Sequence, residues 1–278
     1  MVTGEKGFVG THLIKQYSNR IKIANENFAE RLNILDTENL KKIGKVDAVV
    51  HLASRTSIPN SIRNPSETYY SNIIGTLNIL EYLRNFEIDR IINISTYVYG
   101  SPVYLPIDEN HPINPHSPYN KSKVISEDLC EYYSKDYNIN VVTLRPFYIY
   151  GSNGNPNFLI PSILRQITEK QVVTISRENT KRDFLFIDDF LELIGIILNN
   201  FPTGYNVFNV GYGQSHSIEE IVNMIAEINN IKIPIEIDKL LRPNDITEMI
   251  ADITKVNKFF GWSPKTDLRT GLEKTILN

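Results

Sequence analysis

The chain has 278 residues, with 29 Lys and Arg against 32 Asp and Glu and a net charge of −3. That near-neutral balance argues against a general nucleic-acid or membrane-surface binder. The single cysteine, Cys130, leaves no disulfide framework and no thiolate metal cluster, and no metal site is expected.

No apolar run reaches about 18 residues, so no transmembrane helix is expected. The start lacks a basic segment followed by an apolar one, so no secretory signal is expected and a reducing, cytoplasmic setting fits. The length suits one large domain or two coupled ones.

The chain opens MVTGEKGFVGTHLI, with Gly4, Gly7 and Gly10 three residues apart. Small residues there let the backbone turn tightly and approach a pyrophosphate at the start of the following helix. Only Met1, Val2 and Thr3 precede Gly4, which predicts a first strand cut short relative to the usual five or six residues. Ile21–Ala24 reads as a second short strand. No acidic residue stands clearly at its end to hold a ribose; Glu26 is nearby, and the choice between NAD and NADP stays open on this point. Asp36 precedes a helix-like segment and suits its N-cap.

Asp47–Leu52 is a continuous apolar run of strand length, as in a parallel sheet covered on both faces. The small residues that follow, Ala53 and Ser54, either pack sterically or leave room for a dinucleotide. Pro65–Asn85 reads as one helix with Ile73, Ile74, Leu77, Leu80 and Leu83 inward, and Asn72 placed to hydrogen-bond across to a neighbouring strand or cofactor loop. Arg90–Thr96 is a further buried strand ending in two hydroxyls, Ser95 and Thr96. Ser117 and Pro118 suit the start of the next helix.

That helix carries Tyr119 and Lys123, four residues apart and so on one face. A free tyrosine titrates near ~10, and proton exchange with a sugar hydroxyl at neutral pH calls for a drop of ~3 units, or about 4 kcal/mol. A lysine within ~5 Å, together with the positive ring of an oxidised nicotinamide, would supply it.

Asn140–Leu144 reads as a strand. Beyond Gly151 the pattern alternates more loosely. Phe158–Glu169 is a helix, Val172–Ile175 a strand, and Lys181–Ile187 a strand with Asp188 or Asp189 capping a helix to Asn199. A strand Asn206–Val210 and an amphipathic helix Ser217–Ile228 follow, with Ile218, Ile221, Val222 and Ile225 inward. The strand Ile233–Ile237 and two short helices close the chain. The order predicts an α/β protein: a doubly wound parallel sheet over residues 1–155 and a smaller, interleaved C-terminal α/β domain over 156–278. Arg182 and Arg242 are candidate phosphate ligands.

Ten segments in order, TGEKGFVG (3–10), HLAS (51–54), NIIGT (72–76), ISTYVYG (94–100), PYNKSK (118–123), LRPF (144–147), RDFLFIDD (182–189), NVG (209–211), RPND (242–245) and ADITK (251–255), make the chain resemble the extended short-chain dehydrogenase/reductase family, in its nucleotide-sugar epimerase, dehydratase and reductase group. The resemblance implies a Rossmann fold with NAD, or alternatively NADP, as cofactor and a nucleotide-diphosphate sugar as substrate. It makes Tyr119 the general acid/base and Lys123 the residue that lowers its pKa and holds the nicotinamide ribose. The third catalytic hydroxyl is Thr96 counted from the strand, or Ser95 counted back from Tyr99-Gly100; Thr96 is favoured.

The resemblance further places Gly4, Gly7, Phe8, Val9 and Gly10 at the pyrophosphate. Asp36, Leu52, Ala53, Ser54 and Asn72 line the adenosine side, and Pro146 and Phe147 sit against the nicotinamide. Arg182 and Arg242 would bind the sugar-nucleotide diphosphate, with Asp245 near its ribose. Tyr148 replaces an Asn that touches the sugar in many 4-epimerases. Related 4,6-dehydratases carry Asp-Glu after the catalytic Thr, where Tyr97 and Val98 stand here, so a dehydratase is disfavoured against an epimerase or a keto-sugar reductase. A homodimer through the Tyr119 helix and the Pro65–Asn85 helix is also implied, with Tyr132, Tyr133 and Tyr137 at the contact or in the core.

Overall fold

A computed structural model describes residues 1–18, 33–170, 172–175, 180–237 and 246–277. The expected strand Ile21–Ala24 and Glu26 lie outside the described residues, as do Arg242 and Asp245. The described strands are β1 (Val2–Thr3), β2 (Val49–His51), β3 (Arg90–Ile94), β4 (Asn140–Pro146), β5 (Tyr148–Tyr150), β6 (Val173–Ile175), β7 (Lys181–Phe186), β8 (Tyr205–Val210), β9 (Ser215–Ser217) and β10 (Ile235–Ile237). The chain divides into two compact units. One holds Met1–Tyr99, Ile113–Pro146 and Leu191–Phe208; the other holds Gly100–Pro112, Phe147–Phe190 and Asn209–Asn278.

In the first unit β1, β2, β3 and β4 pair in parallel in that order, with β8 beside β4. Register sets Val2, Val50, Ile92 and Val142 in one buried row. The next residue along each strand turns to the other face. That row is Thr3, His51, Asn93 and Thr143, polar yet fully buried. A larger apolar cluster built on Leu40, Val49, Ile79, Leu83, Ile91 and Val141 forms the core on one side.

The Thr3–His51 part of this row has a definite proton arrangement, whereas the Asn93 Oδ1 is buried without a hydrogen-bond partner among the described residues. Thr3 Oγ1 accepts from the Leu52 and Ala53 N–H groups at 3.2 Å and lies 2.8 Å from His51 Nδ1. Thr76 Oγ1 donates to the Asn72 carbonyl at 2.7 Å and lies 3.2 Å from His51 Nε2. The Thr76 proton is therefore committed, so His51 carries its hydrogen on Nε2 and accepts from Thr3 at Nδ1. Burial first, and then the Lys123 charge, holds this imidazole down at about 3.

A folded-state pKa depressed from 6.5 to about 3 means that stability is complete above pH 6.5 and is lost as pH falls toward 3, because the unfolded chain takes the proton first. The expected slope in that window is about 1.4 kcal/mol per pH unit from this residue. Subtracting the denaturant-derived stability of His51→Asn from that of the parent, at each pH, isolates the slope. A flat difference between pH 6 and 4 would show that His51 does not resist protonation.

Helices α1 (Phe8–Tyr17), α2 (Thr37–Ile43), α3 (Ile58–Arg63), α4 (Pro65–Tyr69), α5 (Gly75–Asn85) and α6 (Pro118–Tyr137) also belong to the first unit. Asp36 caps α2 as expected, accepting from the Asn39 N–H at 3.1 Å. Ser117 caps α6, with Pro118 in the first turn and Asn138 in the left-handed conformation at its end.

The single helix expected over Pro65–Asn85 is instead α4, a π-helical turn Tyr70–Ile74, and α5. A π turn inserts one residue and rotates the faces on either side of it. Ile73, Ile74 and Leu77, expected inward, are half-buried, and the buried positions are Asn72, Gly75, Thr76, Ile79, Leu80 and Leu83.

In the second unit β7 pairs in parallel with β5 and antiparallel with β9, and β6 pairs in parallel with β10. Helix α7 is Leu159–Lys170, α8 Ile187–Asn199, α9 Ile218–Ile228, α10 Thr254–Phe260 and α11 Leu268–Leu277. Helix α9 starts with a capping box between Ser217 and Glu220 and buries the four apolar residues expected.

The expected cap of α8 is corrected. The helix begins at Ile187, so Asp188 and Asp189 lie inside its first turn. The Asp189 carboxylate accepts from the Thr266 N–H at 2.9 Å, while its carbonyl accepts from the Trp262 indole at 3.2 Å. Among the described residues no helix is long and apolar enough to cross a membrane, and no His, Cys, Asp and Glu group has the arrangement of a metal site.

Candidate active site

In the first unit the glycine segment forms a bare turn. Gly4 has φ +72°, and a Cβ there would lie 2.7 Å from the Ala53 nitrogen. A Cβ on Gly10 would strike the Gly4 carbonyl and lie 2.9 Å from the Glu5 Cα. Helix α1 starts at Gly7 without a side-chain cap. Gly7 is exposed, and Phe8 and Val9 are half-buried. Its first N–H groups are thus presented at the positive end of the helix dipole. Leu52, Ala53 and Ser54 follow β2, and the Ser54 hydroxyl is buried without a hydrogen-bond partner among the described residues. A glycine turn with no room for a side chain, an uncapped helix start and an orphaned hydroxyl at a strand end together fit a dinucleotide.

Asn72 sits in the π turn and spans two elements. Its Oδ1 accepts from the Arg55 N–H at 2.8 Å, and its Nδ2 donates to the Arg55 carbonyl and, at 2.9 Å, to Ser122 on α6. The expected reach across to a strand-end loop is present, and it also ties that loop to the helix of Tyr119. Asp36 is occupied by its cap and by Asn39 Nδ2 at 2.7 Å.

Tyr119 and Lys123 are both buried on α6. The two hydroxyls after β3 alternate in direction, and the structure separates them. Thr96 is near enough to the Tyr119 phenol to draw its pKa down. Ser95 is buried and donates to the Glu127 carboxylate.

Burial pushes the Tyr119 phenol up, and Thr96 opposes this only in part. Burial pushes the Lys123 ammonium down to about 8. Tyr97 and Val98, where carboxylates would stand in a dehydratase, are buried, with Tyr97 packed edge-on to Tyr99 at 5.5 Å. Pro146 ends β4 and is buried.

In the second unit Phe147 is buried, and its N–H donates to the Val210 carbonyl at 2.9 Å. The Arg182 guanidinium lies over the Tyr148 ring at 5.9 Å and Tyr148 packs on Phe184 at 5.6 Å, so these two expected substrate residues are brought together.

A residue that the sequence reading passed over, Asp183, organises their surroundings. Its carboxylate accepts the Tyr212, Gly213 and Ala251 N–H groups at 2.6, 2.9 and 3.0 Å. A Cβ on Gly211 would lie 2.7 Å from Asp183 Oδ2. Three of the ten motif segments, RDFLFIDD, NVG and ADITK, thus meet at one carboxylate. Burial pushes Asp183 up to about 6 while the three donors oppose it, so it is ionised at neutral pH.

Asp183→Asn turns an amide N–H toward backbone N–H groups. It is expected to cost about 2–3 kcal/mol in thermal or urea unfolding. A variant within 0.5 kcal/mol of the parent, about the range of an ordinary surface change, would show that the clasp adds nothing.

The sequence profile of the NAD dependent epimerase/dehydratase family matches residues 1–211. A putative UDP-glucose 4-epimerase of Methanocaldococcus jannaschii is 31% identical, over 99% of this chain and 96% of its own. GDP-6-deoxy-D-mannose reductase of Pseudomonas aeruginosa is also 31% identical, over 99% and 95%. Among solved structures, RMD of Pseudomonas aeruginosa complexed with NADPH superimposes with a TM-score of 0.91 at 29% identity, covering 99% of this chain and 96% of that one. UDP-glucose 4-epimerase of Thermotoga maritima with UDP-glucose gives 0.88 at 26%, with the same coverage.

Proposed function

The chain belongs to the NAD dependent epimerase/dehydratase family, whose members here include nucleotide-sugar epimerases, reductases and dehydratases, and we propose that within it this protein is an NAD-dependent nucleotide-sugar 4-epimerase. The observation that carries the reading is the buried pair Tyr119 and Lys123 one helical turn apart on α6, with the Thr96 hydroxyl near enough to the phenol to draw its pKa down. Such a trio suits removal of a proton from a carbinol. NAD, held by the glycine turn and the residues after β2, would supply the hydride acceptor and donor for C4 of the sugar. Tyr119 takes the 4-hydroxyl proton and gives it back, Thr96 holds the same oxygen, and Lys123 opposes the negative charge that develops on the phenol.

Gly4, Gly7, Phe8, Val9 and Gly10 are assigned to the pyrophosphate, and Leu52, Ala53, Ser54 and Asn72 to the adenosine side with Asp36. Pro146 and Phe147 are assigned to the nicotinamide. Arg182, held over Tyr148, is assigned to the sugar-nucleotide diphosphate together with Arg242, and Asp245 to its ribose; Arg242 and Asp245 lie outside the described residues. The apolar pair Tyr97 and Val98 speaks against a dehydratase, which needs carboxylates to move protons beyond C4.

A second reading is a 4-keto-sugar reductase using NADPH. It is favoured by the 31% identity to the Pseudomonas reductase over 99% of the chain and by the TM-score of 0.91 to the NADPH complex. One preparation separates the two. The purified protein is denatured, the released nucleotide identified by mass and absorbance, and the native protein assayed with UDP-glucose and UDP-galactose. Retained NAD near one per chain and interconversion of the two sugars support the epimerase. An empty site that binds NADPH, with NADPH consumed only by a 4-keto nucleotide sugar, overturns it in favour of the reductase.

The homodimer belongs to the same reading. Tyr132 and Tyr137 on α6 and Tyr70 and Ile62 before α5 are exposed apolar side chains, and Tyr133 is half-buried with its hydroxyl on Glu81. Sedimentation as a monomer at micromolar concentration would remove that part of the proposal.

A further inference from the structure

Tyr119, Lys123 and Glu127 are spaced by four on α6 and so share one face over two turns. Glu127 is buried and takes no part in the mechanism above. Its carboxylate is held on both oxygens by the Arg145 guanidinium of β4: Nε lies 3.1 Å from each oxygen, and Nη2 lies 2.6 Å from Oε2. Ser95 donates to Oε1, and the remaining Arg145 nitrogen donates to the Tyr99 hydroxyl at 2.9 Å. A carboxylate ion-paired in this forked geometry and donated to on both oxygens cannot swing away.

We propose that Glu127 is a positioning residue whose fixed charge keeps the Lys123 ammonium protonated, with Arg145 and Ser95 locking that charge in place.

The groups around Lys123 leave Glu127 as its anion among the described residues. Burial, the larger influence, pushes the ammonium down to about 8; Cys130 and Glu127 on α6 act in the opposite direction. The Cys130 thiol is itself pushed up to about 12 by burial, so it is neutral at working pH. His51 on β2, lowered in part by the Lys123 charge, is neutral as well. Tyr205 on β8, which faces Glu127, Cys130 and Arg145, is pushed up by burial and is neutral. Arg145 is turned to Glu127 and Tyr99, on the far side of the carboxylate's hydrogen bonds. What Lys123 then does for Tyr119 rests on the proposed function, but the protonation of Lys123 does not.

The test is therefore an NMR titration of lysine labelled with ¹³C at Cε, on the whole chain without substrate, the Lys123 signal being assigned by its loss in Lys123→Met. In the parent it is expected to titrate near pH 8. In Glu127→Gln, which leaves the Arg145 charge unpaired nearby, it is expected to fall by about one unit or more. Glu127→Asp is expected to restore most of the shift.

Glu127→Gln exposes a buried cation to no partner and is at risk of not folding. The double variant Glu127→Met, Arg145→Met replaces the pair with apolar groups of similar volume, a change often neutral or stabilising. It is expected to show a smaller downward shift, since attraction and repulsion are removed together. Where turnover is measurable, the alkaline limb of kcat moves down with the Lys123 signal while KM stays. A folded variant of either kind whose Lys123 titrates with the parent overturns the proposal. Absence of activity toward UDP-sugars with the Lys123 shift intact would count against the proposed function alone.

Discussion

Tyr119→Phe is expected to lower kcat by about 10³-fold while leaving the fold and bound dinucleotide in place. The ring stays to fill its buried site, so no cavity forms, and the stability cost is that of one hydroxyl pair with Thr96, about 1 kcal/mol. Assay with UDP-glucose, alongside thermal unfolding, separates loss of chemistry from loss of structure. Activity within about tenfold of the parent, outside the usual span of general acid–base effects, would mean that another group moves the proton.

A second readout follows from the direction of the phenol's shift. Because burial pushes Tyr119 up in the protein alone, its ionisation near neutral pH is expected only with NAD bound. The tyrosinate absorbance of the parent minus that of Tyr119→Phe should therefore appear near neutral pH with NAD and not without it. Equal titration in the two states would place the ionising charge in the protein.

What could be read from sequence was what local chemistry decides. Strands covered on both faces show as apolar runs, and caps show as Asp36 and Ser117 before helices. The Tyr119–Lys123 pair shows because helical spacing alone brings it together. Counting favoured Thr96 but kept Ser95 as an alternative, since adjacent residues at a strand end point opposite ways and the partner of each depends on the packing of α6.

The π turn was invisible because Tyr70–Ile74 is ordinary helical sequence; what makes it is the tertiary demand for Asn72 to reach Arg55 and Ser122 at once. The buried polar row Thr3, His51, Asn93, Thr143 was hidden inside apolar runs, where one polar residue in each strand looks like noise until register aligns the four. Asp183 was passed over for its neighbour Arg182 because its partners are backbone N–H groups 29, 30 and 68 residues away, and no residue type at those positions announces them.

Gly4→Ala is expected to destabilise the protein by about 2–4 kcal/mol and to weaken dinucleotide binding by about tenfold or more. Two effects add. The left-handed φ of +72° costs a residue with a Cβ about 1–2 kcal/mol. The new methyl would also lie 2.7 Å from the Ala53 nitrogen and 2.9 Å from its Cα, both backbone atoms that cannot rotate aside. Relief comes only by moving β1 or the segment Leu52–Ser54. That segment is held by the Thr3 hydroxyl, so the displacement passes to the orphaned Ser54 hydroxyl and to the glycine turn together.

Gly44→Ala separates the two effects. Gly44 has φ +75° but nothing within 4 Å of a Cβ, so that variant carries the conformational strain without the collision. Urea unfolding of both, with NAD binding by calorimetry, should show lost stability at both glycines but lost affinity at Gly4 alone. Unchanged affinity in Gly4→Ala would mean that the turn at Gly4 yields without disturbing Leu52–Ser54, and the close approach of the two loops would then have no part in holding the dinucleotide.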